Sequence, residues 1–359
     1  MAALNRTTTC TNPICRLPHK IALEEAILPV SIPLNEIPPL SSVDGVAGAV
    51  LSSTFMVDVG KRLTDVSLRL QSMDASGIRY AIVSLTSPSI EGIFDTTTAV
   101  SYARKVNDEI HATYVAPHPT RFGFFACLPL QDSVAAATEL ERCVTQLGAK
   151  GALVNGYSQL DGGDAQTVRY LDEAACEPVW ATLARLDVPL YLHPRVPPPG
   201  QQRVYAGFPM LAHAAYGFGA ETGAHALRLA CSGLFDRYPR LQVVLGHAAE
   251  ALPYLAHRID HRLAVGVPGA SGPHKESVSY YLRNNFLATL SGVRRLSAVR
   301  CALEEMGEER VMWSVDYPYE SNEDAADWFD GVEGLGEETK RKIAWRNAER
   351  IFGIPPCGL

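Results

Sequence analysis

The chain alternates between two hydrophobic periodicities. Eight short runs, at 20–27, 79–86, 121–130, 150–156, 188–194, 241–248, 284–291 and 309–318, are mostly continuously apolar, as in "VPLYLHP" and "LQVVLGHA". Unbroken apolar runs of this length predict strands covered on both faces, as in a parallel sheet. Between them, apolar residues recur near every 3.6 positions at 59–77, 99–115, 132–148 and 297–307, and Gly77, Gly148 and Gly307 close three of these segments. That spacing predicts amphipathic helices with glycine stops. Each strand is followed by a connection long enough to return the chain in parallel. The pattern therefore predicts one closed (β/α)8 TIM barrel over residues 20–359 rather than two smaller α/β domains. Residues 1–19 form a polar tail outside it. Two connections, 28–56 and 195–219, are too long for turns and leave the C-terminal ends of strands one and five. Loops of that length on that face are expected to cover a binding site.

Composition narrows the class of function. The 359 residues are 47% apolar and 20% charged, enough for a large core. No apolar run reaches a membrane span, and the first 19 residues lack the apolar centre of a secretion signal. A net charge of −7 with no basic cluster argues against nucleic acid and anionic membranes as partners. Eight scattered cysteines, with one close pair, Cys10 and Cys15, in the polar tail and no second pair to match it, fit free thiols in a reducing, cytoplasmic setting.

Polar residues at the ends of apolar strands then change the picture. Strand one carries Glu24, strand five ends on His193, strand six on His247 and strand eight on Asp316. In a closed barrel these ends converge on one mouth. Two carboxylates meeting there would repel, and burying either without a partner is costly, so a cation between them is the natural solution. His193, Glu24 and Asp316 are accordingly candidate ligands of one divalent ion. His213, His225, His257, His261 and His274 lie in loops or helical patterns and most read as structural or surface residues, and Arg195 as a residue that orients loops through carbonyls.

The stretches "KIALEEAI", "RFGFFACLPLQD", "GAKGALVNGYSQ", "LDVPLYLHPR", "LQVVLGHAAEALPYLAHRIDHR" and "WSVDYPYE" resemble the amidohydrolase-related non-oxidative decarboxylases of hydroxybenzoic acids, nearest to the fungal 2,3-dihydroxybenzoate type. The resemblance spans about residues 20 to 354. It implies a metal-dependent barrel, a homodimer or homotetramer, and a small aromatic carboxylic acid as substrate. By position it implies metal ligation by Glu24, His193 and Asp316, a polar pair His247–Glu250 beside the substrate, and Arg258 as a cation near the rim. Many relatives have Glu-x-His on strand one, whereas this chain has Glu24-Glu25-Ala26, leaving one ligand fewer. Oxygen-rich ligation moves the preference from Zn2+ toward Mn2+ or Mg2+, and no organic cofactor is implied.

The expected chemistry is release of CO2 from an ortho-hydroxybenzoate of the dihydroxybenzoate, salicylate, orsellinate or methylsalicylate kind. Asp316 would protonate the ring carbon, and His247, oriented by Glu250, would hold the phenolic proton. Tyr319, Tyr216 and Phe218 are candidate walls of the ring pocket. The alternatives are a metal-dependent hydrolase or lactonase on the same barrel, recognised by a product without CO2, and a non-catalytic barrel, recognised by a broken site.

Overall fold

A computed structural model of the chain describes residues 17, 19–31, 51–162 and 164–356. Nearly all of the tail 1–19 and residues 32–50 of the first long connection therefore lie outside the described residues. Eight parallel strands follow in chain order: β1 Lys20–Ile27, β2 Ile78–Leu85, β3 Phe122–Phe124, β4 Ala152–Asn155, β5 Leu190–His193, β6 Val243–Leu245, β7 Phe286–Thr289 and β8 Val311–Met312. The first matches its expected bounds residue for residue, whereas the regular part of β8 is much shorter than 309–318.

Ladders join β1, β2 and β3, and separately β4 through β8. Two isolated parallel bridges, Ala126 to Ala152 and Glu25 to Tyr317, close the gaps between these sheets. The result is the eight-stranded closed barrel that the apolar pattern predicts.

Alternation along the strands divides the core. One cluster, with Ile21, Leu23, Tyr80, Ile82, Phe125, Leu153, Tyr191, Val244, Leu287 and Met312, joins alternate strand residues to Phe352 and Ile354 of the C-terminal segment. These side chains fill the barrel interior. The other alternation packs Ala22, Ala81, Val83, Val154, Leu192 and Val243 against the helices in a second, larger cluster. Burial of each large apolar side chain contributes about 1.5–3 kcal/mol.

Local signals place the helix boundaries. Ser133–Leu147 starts on Asp132, whose carboxylate accepts from Val134 and Ala135, and ends at Gly148 with φ 73°. The segment expected as one helix over 59–77 is two, Ser53–Thr64 and Val66–Ala75, because Asp65 is extended and its carboxylate caps the second. The fifth connection is built from short helical turns at Pro199–Tyr205 and Pro209–Ala212 and runs into the helix Gly217–Cys231. Among the described residues no helix is long and apolar enough to cross a membrane.

Candidate active site

The C-terminal mouth of the barrel opens into a cavity of about 1260 Å³. Its floor and walls include Glu24, His193, His247, Glu250, Asp316 and Tyr319, with Leu51, Phe55, Met210, Tyr216 and Phe218 from the two long connections. Both connections thus reach the face expected of them.

Glu24 reaches the mouth through an irregularity. The pairing of β1 with β2 shifts register between Ala22 and Glu25. Strict alternation would send Glu24 outward after the inward Leu23; a bulge re-aims it. The amides of Leu23 and Glu24 both donate to Ser314 Oγ, at 3.0 and 2.8 Å, so one serine serves two displaced donors. Glu25 then faces the helices, buried, 3.8 Å from Arg69.

The two oxygens of Glu24 have different environments. Oε2 accepts from Tyr191 at 2.5 Å, from Thr289 at 3.2 Å and from Ser291. Oε1 is buried without a hydrogen-bond partner, 3.4 Å from His193 Nε2. A Cβ on Gly246 would lie 2.9 Å from both oxygens, so glycine is required there for the carboxylate to fit. His193 Nδ1 bonds the Pro194 carbonyl at 2.9 Å, which leaves Nε2 free to face Oε1. One ligand atom each from Glu24, His193 and Asp316 lies within 4.8 Å of the others.

This donor set suits a divalent cation. Burial, and next the Glu24 carboxylate, pushes the Asp316 carboxyl well above its usual range. Burial also works to raise Glu24, but His247, His193 and the hydrogen bonds from Ser291 and Tyr191 together outweigh it and hold the group low. A neutral Asp316 beside an anionic Glu24 is how such a pair settles without a cation; an ion between them lets both ionise. The unsatisfied Oε1, the free Nε2 and the Asp316 carboxyl are two oxygens and one nitrogen, a set that suits Mn2+ as well as Zn2+. At that site Glu24, His193 and Asp316 would be the ligands.

His247 and Glu250 meet on a backbone that few residues adopt. His247, Ala248, Ala249, Glu250 and Ala251 have φ between 52° and 62°, one turn of left-handed helix without glycine. His247 Nδ1 bonds Glu250 Oε1 at 2.7 Å, and its Nε2 points to Glu24 Oε1 at 3.9 Å. Burial lowers the affinity of His247 for a proton, but Glu250 and then Glu24 outweigh it, so Nε2 holds a proton readily. Gly219 makes room for this pair, since a Cβ there would lie 2.8 Å from Glu250 Oε2.

Of the remaining expected residues, Tyr319 shares a 2.8 Å hydrogen bond with Thr86 at the rim, and Tyr216 and Phe218 line the opposite wall. Arg258 is not brought to the cavity: it is exposed on the helix Leu252–Ala264 and absent from the lining. Asp260 does not pair with it and instead caps the helix at Val278 and Ser279. Arg195 donates to the Tyr157 carbonyl at 2.6 Å and lies over the Tyr157 ring, the carbonyl-anchoring role expected of it. Buried His225 accepts from the Leu171 amide at 2.9 Å and is structural, whereas His213 lines the cavity. Sequence reasoning passed over Tyr191, Thr289, Ser291 and Ser314. The signal for Tyr191 was available: it precedes His193 by two positions and so shares its inward face.

Comparison with known proteins agrees with this geometry. The amidohydrolase family model matches residues 49–354. A γ-resorcylate decarboxylase from Polaromonas sp. is 45% identical over 298 residues, covering 83% of this chain and 90% of that protein. A crystal structure of 2,6-dihydroxybenzoate decarboxylase complexed with 2,6-dihydroxybenzoate superposes with a TM-score of 0.85 at 41% identity, covering 93% of this chain and 99% of the other. A dihydroxybenzoic acid decarboxylase from Polaromonas sp. with bound manganese and 2-nitroresorcinol also gives 0.85, at 40% identity and coverage of 94% and 98%. These findings correct the expected branch, since the similarity is to bacterial 2,6-dihydroxybenzoate enzymes and not to the fungal 2,3-dihydroxybenzoate type. The chain belongs to the amidohydrolase family, in its group of non-oxidative hydroxybenzoate decarboxylases.

Proposed function

We propose that this enzyme is a divalent-metal-dependent carboxy-lyase acting on an ortho-hydroxybenzoate, with 2,6-dihydroxybenzoate as the leading substrate. The observation that carries the reading is the buried, unpartnered Glu24 Oε1 facing His193 Nε2 within reach of Asp316. Similarity to enzymes of 2,6-dihydroxybenzoate supports the choice of acid.

Glu24, His193 and Asp316 would hold a divalent ion, which would supply a chelating centre for the carboxylate and adjacent hydroxyl of the acid and so fix the ring in one orientation. Asp316, reprotonated from solvent as the negatively charged substrate enters, delivers that proton to the ring carbon that bears the carboxylate. The bond from that carbon to the carboxylate carbon then breaks, CO2 leaves, and the electron pair restores the aromatic ring. His247 Nε2 holds the phenolic proton, while Glu250 fixes the imidazole through Nδ1. Phe55, Phe218 and Tyr319 line the cavity and would flank the ring and keep water from it.

The reading also includes a homodimer or homotetramer. Phe208, Met210 and Tyr216 of the fifth connection and Tyr254 and Leu255 of the neighbouring helix are exposed apolar residues, with Phe208 at 69% and Tyr254 at 82%. Met210, Tyr216 and Leu255 line the same cavity mouth, and clustered exposed apolar residues mark contact surfaces.

A substrate panel tests the proposal. Mn2+-loaded enzyme should release CO2 and a phenol from 2,6-dihydroxybenzoate and other ortho-hydroxybenzoates but not from 4-hydroxybenzoate, and chelation should abolish turnover. Equal turnover of the para acid, or products without CO2, would overturn it.

A further inference from the structure

The seam between β8 and β1, one of two closed by an isolated bridge, carries two of the three proposed metal ligands at the active face of the barrel. β1 carries Glu24 and the segment after β8 carries Asp316, yet these elements share no ladder, only the bridge from Glu25 to Tyr317. Its backbone bond is Ala26 N–H to the Tyr317 carbonyl, 2.8 Å. β1 is bulged at the same point, so its amides turn to Ser314 Oγ instead of to carbonyls. Backbone pairing alone leaves the spacing of Glu24 and Asp316 loosely determined.

Arg69 spans this seam. It comes from the helix Val66–Ala75 and is fully buried. Its Nη2 donates to the Ala26 carbonyl on β1, and its Nη1 lies 3.8 Å from Glu25 Oε2. Its guanidinium lies 4.6 Å from the ring centroid of Tyr317, the residue after Asp316. The other Glu25 oxygen takes Ser314 Oγ and the Val315 amide, both at 3.4 Å. One planar cation therefore touches the residues flanking both ligands, from the side of the strands opposite the cavity.

We infer that Arg69 is a positioning residue for the metal centre, acting through the Ala26 carbonyl, Glu25 and Tyr317 to hold the two carboxylates at ligating distance. This rests on the metal-site reading above. Lysine preserves the charge but cannot both stack on the ring and donate along two directions. Groups that orient metal ligands typically change metal affinity about 10–100-fold when replaced.

The test is Mn2+ affinity, measured by calorimetric titration of metal-free protein, for wild type, Arg69→Lys and Tyr317→Leu. The second variant removes the stacking ring while leaving all charges, and carries the test if the first does not fold. Trp180→Phe serves as control. It removes the buried indole N–H bond to the Leu171 carbonyl, made from the helix Glu177–Leu186 between β4 and β5, so it lowers the melting midpoint without touching the seam. The seam variants should bind Mn2+ at least tenfold more weakly, with turnover recovering at saturating Mn2+, while the control binds as wild type. Affinities within twofold of wild type in the seam variants, or an equal loss in the control, would overturn the inference. His193→Ala separates the two ideas. If it loses Mn2+ while the seam variants keep it, the seam inference alone fails; if it keeps Mn2+, the metal-site reading itself fails.

Discussion

At the scale of single residues the site depends on unequal environments for groups of the same kind. Glu24 and Glu25 are adjacent and both buried, but one faces the cavity with an unsatisfied oxygen while the other faces Arg69. Burial raises Glu25 to about 8, whereas two imidazoles and the hydrogen bonds from Ser291 and Tyr191 outweigh burial and hold Glu24 low. His193 and His247 divide in the same way. His193 directs Nδ1 to a neutral carbonyl and is pushed down by burial, as suits a ligand; His247 directs Nδ1 to a carboxylate and is pushed up, as suits a proton carrier. From this division, His247→Asn should retain bound metal while turnover falls by about 10²–10⁴-fold. Metal analysis of the purified variant beside its rate checks this, and loss of the ion would reassign His247 as a ligand. His193, His247 and Asp316 were legible as polar ends of apolar strands, and Glu24 as one of two acidic residues inside such a strand. What sequence could not reveal was which of Glu24 and Glu25 faces inward, because a bulge overrides the two-residue period that such readings assume.

At the scale of elements, the turn 247–251 stores strain. A left-handed helical residue other than glycine costs about 1–2 kcal/mol. Five in succession persist because buried Ala248, Ala249 and Leu252 anchor the turn. Ala249→Gly should relieve part of this, offset by the entropy glycine loses on folding, for a gain of up to about 1 kcal/mol. A raised melting midpoint would support the strain account, and a lowered one would oppose it. The helix Gly217–Cys231, which lines the cavity, is tied to the segment before Leu171 through His225. Burial first, and then Arg228, depresses this imidazole from 6.5 to about 3. Between those values the unfolded chain binds a proton that the folded one does not. The stabilisation is therefore complete above about pH 6.5 and declines as pH falls toward 3, by about 1.4 kcal/mol per pH unit. Denaturation midpoints measured across that range should fall more steeply for wild type than for His225→Asn; parallel curves would remove His225 from the account.

At the scale of the whole molecule, barrel closure turns distant sequence positions into one site. Strand positions were legible because buried parallel strands are continuously apolar, and the helices at 133–147 and 296–306 because their stripes and glycine stops are strong. The helix Gly217–Cys231 was harder to see, since glycines and alanines fill the face it turns to the cavity and blur its stripe. The Arg258 position follows from the same limit: sequence places it on a helix beside the site but not on which face of it. Exposed Phe208 and Tyr254 predict self-association, so sedimentation should show a dimer or tetramer that Phe208→Asp with Tyr254→Asp weakens, and a wild-type monomer would contradict this. The central claim is that Asp316 protonates the ring carbon within a metal-ligand cluster. The most direct measurement is turnover of 2,6-dihydroxybenzoate by Mn2+-loaded enzyme in D2O, with the phenol product read by NMR. The wild-type product should carry one deuterium at the former carboxyl position, with equimolar CO2, and Asp316→Asn should give neither product. A phenol without ring deuterium, or undiminished CO2 from Asp316→Asn, would contradict it.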